Sequence, residues 1–320
     1  YRTLPGRRVL IAGSGPLNLQ VALELAEGGA EVAAVAEVAP SPFLHPFAAL
    51  GLALAGPRLW ARGARMVAGL RRRGIPVLNR TELVAIEPQG VALRARLRDA
   101  GGRERAFEMD AMLTNEGFEP QTELLCLRGA AMDPDPVFGH LRARRGETLE
   151  TTVPGLWAVG DCAGLGGAPA ARVEGRIAGR AAAAAAGHGC AHDLFADQRL
   201  LARHRRFQRR LWALHAPAPR PLRGLPDETV VCRCEEITLG QLRAGLAEGP
   251  THAGTLKRAT RVGMGRCQGR YCGPVAARAV AEATGRPLDA FSLFAPRVPI
   301  KPVGIGTILA AEGALEGPAP

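Results

Sequence analysis

Short apolar runs and helical-period stretches alternate over the first third of the chain. Val9-Leu10-Ile11-Ala12 predicts a strand, and the glycine turn Gly13-Ser14-Gly15-Pro16-Leu17-Asn18 leads into a helix with Leu19, Ala22, Leu23 and Ala26 on one face. Gly28-Gly29 ends that helix, and Glu31 to Val35 reads as a second strand. Apolar residues then recur at helical spacing from Pro46 to Arg73, with a break at Gly56-Pro57, a solvated end at Arg71 to Arg73, and a strand at Ile75 to Leu78. Three alternating runs, Glu82–Glu87, Val91–Arg98 and Arg103–Glu108, are separated by turn residues and predict a β-meander. Ala111 to Asn115 is a strand that leaves this unit through Gly117 and Pro120.

Further along, Thr152-Val153-Pro154-Gly155-Leu156-Trp157-Ala158-Val159-Gly160-Asp161 reads as an apolar strand ending in Gly-Asp, ahead of the glycine-rich Gly164-Leu165-Gly166-Gly167. Pro169 starts a helix through the alanine tract to Ala186. From Cys190 to Pro226 the chain turns polar, basic and finally proline-rich, which predicts a linker with His204 and His215 solvated. Thr238 with Gln241 three residues later forms a capping box for a helix ending near Gly249. Two more helices follow, His252–Thr260 and Pro274–Thr284, stopped by Gly263 and Gly285. The expected division is residues 1–117, a Rossmann-like unit with its meander; 118–190; a linker, 191–228; a small helical module, 229–290; and an extended tail, 291–320.

Composition narrows the function classes. With 320 residues, 47% of them hydrophobic, the length prior is two domains with a real core. No apolar run approaches the ~20 residues of a membrane span. The formal charge of +11 comes almost wholly from arginine spread along the chain, with only Lys257 and Lys301 as lysines and few aromatic residues to stack bases. That dispersal fits a GC-rich coding sequence and gives no basis for nucleic-acid binding. The first residue is Tyr1 and nothing like a signal peptide precedes the first strand, so part of a longer or processed chain is expected. Seven cysteines without a secretory signal point to a reducing cytoplasm, with Cys126, Cys162 and Cys190 as free thiols.

The other four cysteines carry the strongest chemical signal. Cys232 and Cys234 are one residue apart, and Cys267 and Cys272 follow after thirty-two intervening residues. In an extended segment the side chains at i and i+2 leave one face, so the first pair is expected to aim two sulfurs at one point. Gly269 can supply a positive φ for the second loop, and Gly273-Pro274 opens a helix with Cys272 at its N-terminus. The helix dipole with Arg233, Arg266 and Arg270 is expected to favour thiolate at all four positions. Such a quartet suits a tetrahedral zinc or an iron–sulfur cluster; the one-residue gap leans towards [2Fe-2S], with a redox disulfide of Cys267 and Cys272 a third reading. A helical module of about 60 residues is also of a size that often needs a metal to be stable.

In the first unit, Gly13 and Gly15 with Glu37 about 20 residues on match a dinucleotide fingerprint in which the acidic residue meets the ribose. Asn18 stands where the third glycine belongs, so NAD(P) or another adenine nucleotide and an unliganded architectural unit both remain open. For Asp161 the alternative to a ligand contact is an ordinary helix N-cap.

The Thr152–Asp161 stretch resembles the second FAD motif of the two-dinucleotide-binding-domain flavoproteins, which implies flavin contacts for Gly160, Asp161, Gly166 and Gly167, with Asp161 on the ribityl chain. In that family an earlier glycine-turn unit holds the FAD pyrophosphate. Here a single such unit precedes the meander and the Gly-Asp motif, the order of the NAD-type domain, so the first FAD half is expected upstream of Tyr1 or on another polypeptide, and residues 118–190 read as the C-terminal half of an FAD domain. Val231 to Glu236 together with Arg261 to Cys272 resembles the bacterioferritin-associated-ferredoxin-like [2Fe-2S] domain, with Cys232, Cys234, Cys267 and Cys272 at the ligand positions. With the tail Pro296 to Val303, the whole chain resembles the α-type subunit of opine oxidases, D-hydroxyproline dehydrogenases and hydrogen cyanide synthase. The fold implied is α/β, a Rossmann-like flavoprotein portion followed by a small helical [2Fe-2S] domain. The function implied is electron transfer between FAD and the cluster in an amino-acid or opine dehydrogenase. The partners implied are a D-amino-acid-oxidase-like catalytic flavoprotein subunit, with a small ferredoxin-like subunit completing the hetero-oligomer. No residue of this chain stands out as a catalytic base. An NAD(P)H-dependent FAD/iron–sulfur reductase and a non-catalytic iron–sulfur scaffold are the alternatives.

Overall fold

Residues Val9 to Gly13 of strand β1 (Arg8–Gly13) are all buried, the pattern of a strand inside a parallel sheet covered on both faces. The computed structural model describes residues 3–135, 140–189, 194–215, 222–249, 252–289, 291–300 and 302–311. β1 runs parallel to β2 (Glu31–Glu37) on one side and to β7 (Ala111–Asn115) on the other, and β3 (Val77–Asn79) extends the sheet beyond β2. Helices α1 (Pro16–Glu27) and α3 (Pro57–Arg72) cover one face, where Val9, Ile11, Ala22, Val35 and Leu70 form the core. The alternate residues Leu10, Ala12, Ala34 and Ala36 face the opposite way, as the two-residue period of a strand requires. They pack against Ala95, Leu97 and Met109 of the antiparallel meander β4 (Thr81–Gln89), β5 (Ala92–Asp99) and β6 (Glu104–Met109). Gly13 is needed at the sheet's end: its φ is +134° and a Cβ there would run into the carbonyl of Asn115.

The stretch expected to be a strand at 152–161 is not one. Among the described residues its one bridge is that of Trp157 with Glu150, because its backbone is spent on a tight turn in which Leu156 N–H donates to Val153 C=O. It lies beside helix α4 (Glu123–Leu127) and a hairpin of β8 (Met132–Pro134) and β9 (Leu141–Ala143). Helix α5 (Gly167–Ala185) follows, with Ala170, Val173 and Ile177 buried.

The expected linker also differs. Residues Phe195–His215 form a 21-residue helix, α6, whose Leu201 packs on α5 and whose Phe207 packs on Leu52 and Ala55 of α2 (Pro46–Ala55). Arginine density hid the apolar stripe that Leu201, Phe207, Leu211 and Leu214 make along it. Part of the proline-rich stretch, like Cys190, lies outside the described residues.

The last unit follows its sequence pattern closely. A hairpin of β10 (Val230–Cys232) and β11 (Ile237–Thr238) precedes α7 (Leu239–Ala247), α8 (Ala253–Thr260) and α9 (Gly273–Thr284) around Leu239, Leu242, Leu256, Val262 and Ala276. The capping box is formed in both directions, Gln241 N–H to Thr238 Oγ1 at 3.3 Å and Thr238 N–H to Gln241 Oε1 at 2.9 Å. A short helix, α10 (Ile305–Ala310), lies in the tail. Among the described residues no helix is long and apolar enough to cross a membrane.

Candidate functional site

Cys232 ends β10 and is buried, whereas Cys234 sits exposed in the four-residue turn that reverses the hairpin, where Glu236 takes a φ of +54°. The extended geometry expected of the C-x-C pair is therefore absent, since Cys234 lies in the turn. Electrostatically Cys267 feels Cys234, and Cys272 feels both Cys232 and Cys267. Among the described residues no three His, Cys, Asp or Glu side chains form a single metal-ion group. All four are free of disulfides.

The two members of the second loop differ electrostatically. Burial raises the Cys267 thiol, but the Cys234 thiol and the backbone N–H groups of Gly269, Tyr271 and Arg270 outweigh it and hold the group below its usual value. Gln268 at φ +56° and Gly269 at φ +80° bend the loop so that these successive amides surround one sulfur. Cys272 caps the N-terminus of α9, yet burial and then the neighbouring Cys232 push it up to about 12. The expectation of thiolate at all four positions fails at Cys272, because a helix-terminal dipole is weaker than full desolvation beside a second sulfur. Arg270 is turned away: its Nε donates to Glu123 of α4 at 2.8 Å and its Nη2 to the carbonyl of Ile300 at 2.9 Å. Close approach sets the rest of the loop, since a Cβ on Gly265 would overlap that of Cys234.

In the middle of the chain Gly160 and Asp161 lie in a 3₁₀ turn (Gly160–Ala163), with Asp161 exposed. The turn is held from below by Glu174 of α5, which no sequence motif singles out. Glu174 Oε2 accepts the Gly160 N–H at 2.8 Å, and its carboxylate pairs with Arg145 (3.1 Å) and with Arg205 of α6 (2.8 Å). Burial raises the Glu174 carboxyl, but Arg145, Arg205 and the Gly160 amide together hold it below the ordinary value. The signal that could have found it was an acidic residue inside the buried Ala170, Val173, Ile177 stripe. Gly164, Gly166, Arg142, Glu174, Arg205 and Arg209 line a cleft of about 320 Å³ beside this turn, and Gly167 starts α5 at φ +75°.

At the first glycine turn the groups expected to meet a nucleotide are engaged internally. Glu37, buried at 3% exposure, accepts the Gly15 N–H at 2.8 Å and the Ala39 N–H at 2.9 Å. His215, the last residue of α6, places Nδ1 3.6 Å from the same carboxylate, and its carbonyl accepts the Ser14 hydroxyl at 2.7 Å. Burial raises the Glu37 carboxyl, yet His215 and the two amides hold it below its ordinary value. His215 is thus buried and not solvated, because α6 ends on the turn; His204 is partly buried, and that burial lowers its pKa. Asn18 is buried and its Oδ1 accepts from Asn115 at 3.2 Å, tying α1 to β7 where a third glycine would allow close packing.

Comparison with known proteins follows this layout. Residues 2–187 match the family Pyridine nucleotide-disulphide oxidoreductase, and residues 227–312 match the Sarcosine oxidase A3 domain. The chain is 29% identical over 311 residues to an opine oxidase subunit of Rhizobium meliloti (strain 1021), covering 95% of this chain and 67% of that protein. It is 32% identical over 314 residues to hydrogen cyanide synthase subunit HcnB of Pseudomonas aeruginosa, covering 92% and 65%. L-proline dehydrogenase from P. horikoshii shares the fold, with a TM-score of 0.62 at 20% identity over 94% of this chain and 50% of that one. The chain therefore spans between half and about two thirds of the length of these relatives. The match to the first family takes in the parallel sheet, the meander, the Gly160-Asp161 turn and α5, more than half of the residues, and on that ground the chain belongs to the pyridine nucleotide-disulphide oxidoreductase family, an α/β Rossmann-like family of flavin oxidoreductases.

Proposed function

We propose that this chain is the electron-transfer subunit of a flavin-dependent amino-acid or opine dehydrogenase, holding a [2Fe-2S] cluster on Cys232, Cys234, Cys267 and Cys272 in a bacterioferritin-associated-ferredoxin-like module and one half of an FAD site at Gly160, Asp161, Gly166 and Gly167. The observation that carries it is that one module gathers four free thiols: Cys232 and Cys272 share its core, and Cys234 packs against Gly265, two residues before Cys267. Structural zinc sites usually place two to four residues between paired cysteines, and the single residue between Cys232 and Cys234 leans towards the binuclear group. The neighbouring backbone amides help hold the Cys267 thiol below its usual value, which favours its thiolate as a ligand. On the flavin side, the exposed Asp161 on a turn opened by Gly160 and Gly164 offers a carboxylate and bare backbone to a polar chain.

When bound, FAD would accept an electron pair and the cluster would hand on single electrons. The chain's own work is to hold the two sites together: Glu174 fixes the Gly160 amide, and Arg270 joins the cysteine loop to Glu123. Amine oxidation would take place on a D-amino-acid-oxidase-like partner subunit, with a small ferredoxin-like subunit completing a cytoplasmic hetero-oligomer. Support for an assembly is that the opine oxidase and hydrogen cyanide synthase relatives are named as subunits. The competing reading, entry of electrons from NAD(P)H at Gly13, Gly15 and Glu37, is disfavoured by the engagement of Ser14, Gly15 and Glu37 with His215 and with one another.

The test is anaerobic purification with iron and acid-labile sulfide counted and the reduced protein examined by EPR. Two irons and two sulfides per chain are expected, lost in Cys232→Ser and Cys272→Ser and kept in Cys162→Ser. Bound zinc without sulfide would overturn the reading.

A further inference from the structure

Two hydrophobic cores that belong to different parts of the chain meet at one dipeptide in the tail. Leu293 packs into the core of the middle region, with Leu125, Met132, Leu141 and Ala158. Phe294, the next residue, packs into the core of the cysteine module, with Cys232, Cys272, Leu256 and Val262. Adjacent residues in non-helical backbone point to opposite sides, so one peptide unit can reach both.

The Phe294 ring fits a floor made of backbone. A Cβ on Gly263 or on Gly269 would come within 3.0 Å of it, closer than real Cβ atoms approach, and one on Gly273 would touch it at 3.4 Å. Its ring also carries the Lys257 ammonium, 5.1 Å from the centroid. Gly269 is one of the amides around Cys267, so the ring bears directly on the backbone that shapes that sulfur's surroundings. The dipeptide is itself aimed by a turn: Asp289 Oδ1 accepts the Phe291 N–H at 2.9 Å and the Ser292 hydroxyl at 2.8 Å. Arg270 adds a polar fastener from the same loop to Glu123 on α4 and to Ile300 in the tail.

We propose that Leu293-Phe294, with Arg270, is a positioning element that holds the Cys267–Cys272 loop in shape and fixed against the region bearing the Gly160–Gly167 turn. Its role in electron passage rests on the function proposed above, but the mechanical claim does not. Loss of either side chain loosens both regions, since one peptide unit seats a side chain in each core. A side chain that merely filled its own core would loosen that core alone.

The experiment uses the full chain, reduced and metal-free, and reads hydrogen exchange by peptide together with alkylation of Cys267 by iodoacetamide. Leu293→Ala, which touches only the middle core, should raise exchange across residues 263–273 by about tenfold, as local opening without global unfolding does. Phe294→Ala should raise exchange in the same loop and at Glu123–Leu127 and speed alkylation of Cys267, and Phe294→Leu should restore most of both. Wild-type exchange at 263–273 in Leu293→Ala, or unchanged Cys267 alkylation in Phe294→Ala, would overturn the proposal. Iron counted in parallel samples purified anaerobically separates the two ideas: coupled loosening without any iron keeps the strap and removes the cluster, and iron without coupling does the reverse.

Discussion

Glu174 is the residue on which the middle region turns, since one carboxylate serves two guanidinium groups and the amide of Gly160. Replacing it by Gln keeps the shape but leaves Arg145, whose side chain is 12% exposed, without a counter-charge. Breaking a buried pair in this way costs about 3–5 kcal/mol, to be read as a loss in urea unfolding of Glu174→Gln at neutral pH. The sign with acid follows from the lowered carboxyl. Its stabilising contribution is complete above the ordinary value of 4.5 and drains away as pH falls through the lower folded value, so the gap between wild type and Glu174→Gln should close only in that acid range. Equal stability at neutral pH would show the pair to be incidental. At this scale the spacing of the cysteines and the glycines was readable, because turns and ligand pairs are local. Glu174 and Phe294 were not, because each acquires its role from residues tens of positions away.

Helix α6 shows how an element can be hidden by its own solvation. Its arginines read as a linker, yet Leu201 faces α5, Phe207 faces α2, Arg205 reaches Glu174 and His215 ends on the glycine turn at Ser14. Only tertiary packing tells such a helix from a charged tether, whereas β1 announced itself as a short apolar run and α1 and the meander through their periods of 3.6 and 2. Phe207 is 6% exposed and rests where a Cβ on Gly56 would fall 2.7 Å from its ring. Phe207→Ala should cost about 3–5 kcal/mol. Because α6 braces both ends, hydrogen exchange should rise at Ser14–Asn18 and at Gly160–Gly166 together in that variant. A rise confined to α2 would mean that α6 does not link the two turns.

For the whole molecule, the local elements were legible in the chain, and the joints between them were not. Parallel sheet, Gly-Asp turn and helical cysteine module each carry a local signature, but the Arg270 to Glu123 ion pair and the Leu293-Phe294 contact involve partners 147 and more than 100 positions apart that no pattern relates. Energetically the units differ as well. The sheet domain rests on two apolar layers, whereas the cysteine module has a single core in which Cys232 and Cys272 themselves are buried members. A ligand bound only by the folded form adds RT ln(1 + [L]/Kd), about 4 kcal/mol at a thousandfold excess over Kd. If the cysteines hold a cluster, that increment belongs to the smaller unit. Anaerobic chelation of iron should therefore lower the calorimetric transition of residues 222–294 by several degrees and leave the transition of the Rossmann-like domain in place. Hydrogen exchange of β1 and β5 would identify which transition is which. A uniform downward shift of both would place the bound group's stabilisation across the joint, and no shift at all would mean that the four thiols stabilise the module as ordinary core residues.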